Sequence, residues 1–142
     1  VFRKLTAAAM AAALILAMCG CGAQKTTETA DTDDSSAVKY LTREDITVNE
    51  EISNDQDGEH AIEVSGETKE YSNVGVTKTG EADGDEADFY GENSAVFTTE
   101  SGTLTVKDSL IETDGTHANA VFSYGEGTTV NIADSVIETQ GD

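Results

Sequence analysis

The sequence contains no proline and no tryptophan, and only eight lysines and arginines stand against 28 aspartates and glutamates. Its two cysteines, Cys19 and Cys21, both sit at the end of the first apolar stretch, so no disulfide can staple anything downstream. The one long apolar run, residues 5–18, is too short to span a bilayer comfortably. With proline absent, chain reversals have to rest on glycine, aspartate and asparagine. The first twenty residues carry Arg3 and Lys4 and no acid; without them the chain has six basic residues against 28 acidic ones, a net charge of −22. That balance excludes nucleic acid and an anionic membrane surface as partners. A domain of this makeup must be held by repetitive hydrogen bonding and an apolar core.

What is present begins with VFRKLTAAAMAAALILAMCGCG: a basic start, an apolar run, then small residues around the cysteines. This is the layout of a secretory signal peptide over residues 1–20. Gly20-Cys21 resembles the lipobox of bacterial lipoproteins, in which a small residue precedes a cysteine that is lipidated and becomes the new N-terminus. The resemblance implies lipidation at Cys21, export, and anchoring to the outer face of the bacterial cytoplasmic membrane or cell surface through the lipid alone. Met18-Cys19 fits less well, because it puts a bulky residue at the cleavage point. Residues 23–36, AQKTTETADTDDSS, have almost no large apolar side chain. They cannot offset their ordering entropy, so residues 21–44 are expected to be a flexible tether, with residues 38–43 either a short cap on the domain or more of that tether. ITVNEEI, residues 46–52, is expected to be the first strand of a domain over residues 45–142.

Within that domain the sequence repeats. TLTVKDSLIETDG, starting at Thr103, returns at Thr129 as TVNIADSVIETQG, an offset of 26, and Ala95-Val96-Phe97 returns as Ala120-Val121-Phe122. A weaker earlier copy runs through Ala61-Ile62-Glu63 and Val76-Thr77, set off by an extra loop, EADGDEADFYGEN, residues 81–93. Each unit holds three short runs rich in Thr, Val and Ile, cut by Gly, Asp or Asn. The pattern predicts an all-β right-handed parallel β-helix of about three coils, each stacked on its own copy. The period-two alternation and the glycines exclude amphipathic helices.

The copies also assign faces. Glu63 occupies the place of Phe97 and Phe122, and a glutamate would not be buried in a dry core, so that column should point outward and Ile62, Val96 and Val121 inward. By the same logic Glu112 and Glu138 face out, while Ser109, Ser135, Ile111, Ile137 and Val76 face in, with Leu104, Val106, Val130 and Ile132 completing the core. A stacked Ser109–Ser135 pair could be satisfied by hydrogen bonds between coils. Three repeats are about the minimum for such a coil, and Gly141-Asp142 follows a strand with no polar cap. The expectation is therefore a longer natural protein or a truncated relative, monomeric or associating edge to edge.

ADFYGENSAVF and HANAVFSYGEGTTVNI carry a resemblance. Residues 61–142 resemble the pectin-lyase-like β-helix proteins and, more narrowly, the adhesin-like surface lipoproteins of bacteria. That implies an exported, non-catalytic protein. The lyases of the fold use carboxylate-bound calcium and a basic residue, and the hydrolases use acidic pairs beside a Gly-His-Gly element. His117, in GTHAN, and His60, in GEHAI, do not match, and Arg43 lies outside the clear repeats, so no catalytic residue is assigned.

Three features remain as candidates for binding. Asp83, Asp85 and Asp88, with Glu81 and Glu86, could offer calcium hard oxygen ligands, although the loop lacks the EF-hand pattern; SNDQDGEH around Asp55 and Asp57 fails it too. If the coils are in register, Asp108 lies over Asp134 and Glu112 over Glu138, like-charge columns that a divalent cation would relieve. Phe97, Phe122 and Tyr124 would form an outward aromatic stripe suited to the faces of sugar rings or another protein, unless the loop bearing Phe89 and Tyr90 lies over it. The expected role is adhesion through a glycan or a cell-surface protein. A fragment of a polysaccharide lyase or glycoside hydrolase and a structural spacer are the alternatives.

Overall fold

The computed structural model describes residues 39–141. The signal peptide, Cys21 and the tether up to residue 38 lie outside the described residues. Ten short strands follow in order: β1 (Glu50–Asn54), β2 (Ile62–Ser65), β3 (Thr68–Ser72), β4 (Val74–Lys78), β5 (Val96–Thr99), β6 (Thr103–Lys107), β7 (Leu110–Asp114), β8 (Val121–Ser123), β9 (Thr129–Ala133) and β10 (Val136–Gln140). One short helix, α1 (Glu86–Tyr90), interrupts them between β4 and β5. The strands form three sheets, ordered β1-β4-β7-β10, β2-β5-β8 and β3-β6-β9, and every pairing is parallel. Each strand thus bonds to its counterpart one coil away. This is a parallel β-helix of three coils, β2–β4, β5–β7 and β8–β10, with β1 as an extra strand beside β4.

The register follows the repeat. Ile52, Val76, Ile111 and Ile137 pair in succession, as do Ile62, Val96 and Val121, and Val106 pairs with Ile132. Val64, Val76, Val96, Leu104, Val106 and Ile111 are 0 % exposed. In the third coil Val121, Val130 and Ile132 are only half-buried, and Ile137 is 45 % exposed. Glu63 is exposed beside Phe97 in register, so the outward column stands as read.

The Asp-Ser doublet of the repeat explains one corner of the coil. Asn73, Asp108 and Asp134 each take a left-handed conformation, with φ of 57°, 49° and 47°. Asn and Asp tolerate this better than other side-chain-bearing residues. One such residue bends the chain from each strand of the β3-β6-β9 sheet into its neighbour in the β1-β4-β7-β10 sheet. Its backbone stays in the ladder: Asp108 N–H donates to the Ala133 carbonyl at 3.2 Å and Asn73 N–H to that of Lys107 at 3.1 Å. The serine that follows does a second job. Ser135 Oγ accepts Ser109 N–H at 3.1 Å and donates to the Ala133 carbonyl at 2.7 Å. Ser109 Oγ accepts Val74 N–H at 3.1 Å and donates back to the Lys107 carbonyl at 2.5 Å. Buried serines therefore satisfy backbone donors that the bend would leave orphaned.

The start of the domain differs from expectation. Residues 46–49 are not strand; β1 begins at Glu50. Ahead of it, residues 39–45 form a strap; most of it lies in the span expected to be tether, at the place where a short cap was the alternative. The strap contains a 3₁₀ turn at Arg43–Asp45, closed by the Asp45 carboxylate, which accepts Thr42 N–H and Thr42 Oγ–H at 3.0 Å each and pairs with Lys39 Nζ at 2.7 Å. Arg43 reaches the outer face of the four-stranded sheet. Its guanidinium pairs with Glu112 at 2.6 Å and Glu138 at 3.1 Å, bridging two coils. Lys39, Tyr40 and Leu41 lie against residues 134–137 across a cleft of about 510 Å³. Leu110 shares the outward face of Glu112, yet it is only 6 % exposed and stands apart from the core cluster. The strap residues lie against Val136, the register partner of Leu110. The cation between the stacked glutamates is thus an arginine of the chain itself.

Two outcomes are expected. Ile111→Ala should cost about 2–5 kcal/mol in denaturant unfolding, the usual range for a fully buried isoleucine. Ile137→Ala, one coil away in the same column, should cost under about 2 kcal/mol; equal losses would contradict this packing. The Lys39 ammonium, with the Thr42 donors, pushes the Asp45 carboxyl down from 3.8 to about 2. A depressed carboxylate contributes stability above its unfolded value that disappears as pH falls through the folded one. Carboxyl NMR should therefore find Asp45 titrating near 2, with the strap loosening over that interval; a midpoint at the ordinary value would mean that the strap is not closed in solution.

Candidate functional site

The extra loop, residues 81–93, folds onto the outer face of the β2-β5-β8 sheet. Asp85 through Gly91 make one short helix, ended by Gly91 in the left-handed region at φ 69°, whose N–H returns to the Ala87 carbonyl at 2.8 Å. Gly91 is needed for a second reason: it rests on the ring of Phe122, and a Cβ there would fall 2.4 Å from ring carbons. Ala87 is fully buried beneath the helix. Ser94 Oγ donates to the Gly91 carbonyl at 2.8 Å and fixes the exit of the loop.

Phe97 and Phe122 are register partners and stack outward at 6.3 Å between ring centroids. His60 extends the column, lying on Phe97 at 4.2 Å with the rings 8° from parallel. Gly91 of the loop rests on Phe122 and His60 lies on Phe97, and both phenylalanines are half-buried. What remains exposed is a ridge beside it. Tyr124, the next outward residue after Phe122, is 45 % exposed and meets Tyr90 edge to face at 5.8 Å, while Tyr90 is 47 % and Phe89 73 % exposed. Of the stripe expected from sequence, Tyr124 is exposed, and Phe97 and Phe122 are half-buried. Phe89 and Tyr90, read as a possible cover, supply most of the ridge.

The two histidines have partners that the sequence did not disclose. His60 Nδ1–H donates to the Ser94 carbonyl at 3.2 Å; burial pushes the imidazole below its ordinary pKa, and the carbonyl works against that shift. His117 Nδ1 lies 3.0 Å from Asp88 Oδ2 and ties α1 to the turn before β8. Asp88 is therefore engaged by a histidine. Asp85 stands at the start of α1, and Asp83 lines a separate acidic cleft of about 270 Å³ with Asp57, Glu81 and Glu92. The three aspartates considered for calcium do not converge, and among the described residues no three His, Cys, Asp or Glu side chains are gathered to hold a metal ion.

Lys78 holds a position that the face assignments left open. It pairs with Thr113 in register and points into the coil, where it is 0 % exposed. Its stem fills the lumen, and its ammonium donates to the Gln56 carbonyl at 2.7 Å, at the mouth of the SNDQDGEH turn. Burial pushes its pKa down, and Asp57, Asp55 and Glu59 pull it back up. Nearby, Asn93 Nδ2 bridges the Gly80 carbonyl at 2.5 Å and the Thr116 carbonyl at 3.3 Å, tying one turn to the next. Period-two alternation from Val76 already placed Lys78 on the inward face; the signal was there, and its charge concealed it.

The arrangement is thus a three-coil parallel β-helix with an aromatic ridge held on one outer face by an inserted helix. No protein-family model, curated protein or solved structure matches the chain.

Replacing Lys78 with methionine should raise stability by about 1 kcal/mol or more, because a buried ammonium is exchanged for an apolar chain of similar volume. The folded pKa is lowered, so the penalty is complete below that value and fades as pH rises to the unfolded value of 10.5. The advantage of Lys78→Met in thermal unfolding should shrink accordingly toward alkaline pH. A clear loss of stability at neutral pH would show instead that the ammonium–Gln56 bond holds the turn.

Proposed function

We propose that this protein is a non-catalytic surface lipoprotein, anchored through Cys21 at the outer face of a bacterial membrane, whose β-helix presents an aromatic ridge for adhesion by glycan contact. The observation that carries the reading is the exposure of Tyr90 and Tyr124 in edge-to-face contact, with Phe89 exposed next to Tyr90 in the chain, on a loop whose Gly91 rests on Phe122 of the stacked Phe97–Phe122 pair. Monomeric proteins bury most large aromatics, and flat rings on a rigid support suit the apolar faces of sugars. Rigidity matters because a preformed ridge loses little side-chain freedom on contact. The reading is further supported by the engagement of the bases that a lyase would need. Arg43 is held between two glutamates, Lys78 is enclosed, and His60 lies flat on Phe97.

The test is binding of the full chain to a panel of immobilised glycans. Wild-type protein should retain at least one glycan class, and Phe89→Ala combined with Tyr124→Ala should weaken that binding about tenfold or more, at about 1–1.5 kcal/mol for each lost aromatic contact, without changing the unfolding midpoint. Absence of binding across the panel would defeat the proposal.

A further inference from the structure

The exposed cations of the domain are unevenly placed. Among the described residues, Lys39 pairs with Asp45 and Arg43 with Glu112 and Glu138, all through the strap. Lys69 pairs with Glu67 at 2.7 Å and Lys107 with Glu70 at 3.2 Å, both on the β3-β6-β9 sheet. Lys78, the remaining one, is enclosed in the lumen. The outer face carrying the ridge has no lysine or arginine among these. Exposed carboxylates adjoin its aromatics in register or along the chain, Glu92 among them at the rim of the acidic cleft described above. Glu63 is the register neighbour of Phe97, Asp88 precedes Phe89, Glu92 follows Tyr90 by two residues and Glu126 follows Tyr124 by two. Only the imidazoles of His60 and His117 stand against them.

We infer that the ridge takes a cationic glycan, a saccharide whose amino sugars carry free ammonium groups. This rests on the glycan-contact reading above and specifies its ligand. Rings and carboxylates together make a site with two matched parts. The aromatic faces accept the C–H face of a sugar and attract a cation held above them. The surrounding carboxylates, unmatched by any neighbouring cation, draw an ammonium in and repel uronates and sulfated sugars. A basic polypeptide shares the charge but fits less well. The free backbone of this sheet lies at the edges of β2 and β8, not on the outer face where the rings stand, so a peptide added there as a strand would not use the rings. The face offers rings, which a saccharide uses.

The experiment compares three ligands on the full chain by calorimetric titration at low salt: a glucosamine oligosaccharide, the same oligosaccharide fully N-acetylated, and a lysine oligomer of equal charge. The free-amine sugar should bind about tenfold tighter than the acetylated one, the scale of a cation over an aromatic face reinforced by carboxylates, and should weaken as salt is added. Phe89→Ala with Tyr124→Ala should abolish binding of both sugars. Glu63→Gln with Glu92→Gln and Glu126→Gln should remove the preference and leave the weaker contact. Acetylated sugar binding equally or better would overturn the charge inference while glycan contact stands. A lysine oligomer binding as tightly, unaffected by the aromatic substitutions, would overturn it in favour of unselective attraction. Loss of all saccharide binding, on this titration and on the panel alike, would remove the underlying reading as well.

Discussion

Parallel backbone pairing between successive coils is the constraint on which everything else rests. The domain has no disulfide to hold it, and its short strands carry too little apolar surface to stand alone. Stacking solves both problems at once. Each strand satisfies its N–H and C=O groups on the next coil, and the inward side chains of one coil cover those of another. Because every pairing is in register, any residue type accepted in one copy has to be acceptable directly over itself. That rule selects Ile and Val inside, and Asn or Asp followed by a small inward residue at the bend.

The same rule creates the electrostatic problem of the molecule. A repeat that writes one glutamate writes a column of them, and Glu112 and Glu138 are direct register partners. Like charges so placed oppose the sheet. The answer here is local. A single arginine, delivered by a strap from before the first strand, sits between the two carboxylates, and the strap lies against Val136 and Ile137 of the last coil. Surface ion pairs contribute little in isolation, but this one joins two coils and closes a segment against apolar residues, so its effect is to fix position as much as to add energy.

The repeat made the ladder legible. Ile111 over Ile137, Phe97 over Phe122 and the hydrogen-bonded serines all follow from aligning the chain with itself. What was not legible lies where the chain departs from its own repeat. The strap has no counterpart in the other coils, so nothing in the sequence marked Arg43 as its contact. Helix α1 arises in an insertion too short and polar to give a periodic signal. Lys78 replaces a threonine of the later copies, and its side chain is long enough to carry its ammonium out of the lumen to a turn carbonyl. In each case a contact distant in sequence outweighed local pattern.

The location of the ridge follows from the ladder in turn. Strands of the β2-β5-β8 sheet have four, four and three residues, against five in the other two sheets. A shorter rung contributes less backbone bonding, and side-chain packing on its outer face has to make up more of the cohesion between coils. Aromatic stacking supplies that, since a ring over a ring spans the interval between strands. An insertion entering this sheet then meets a surface of rings, and a glycine and an alanine let its helix lie close against them. Gly91, which rests on the Phe122 ring, directly follows Tyr90, so the packing that braces the outer face of the coil also fixes the backbone from which Tyr90 meets Tyr124.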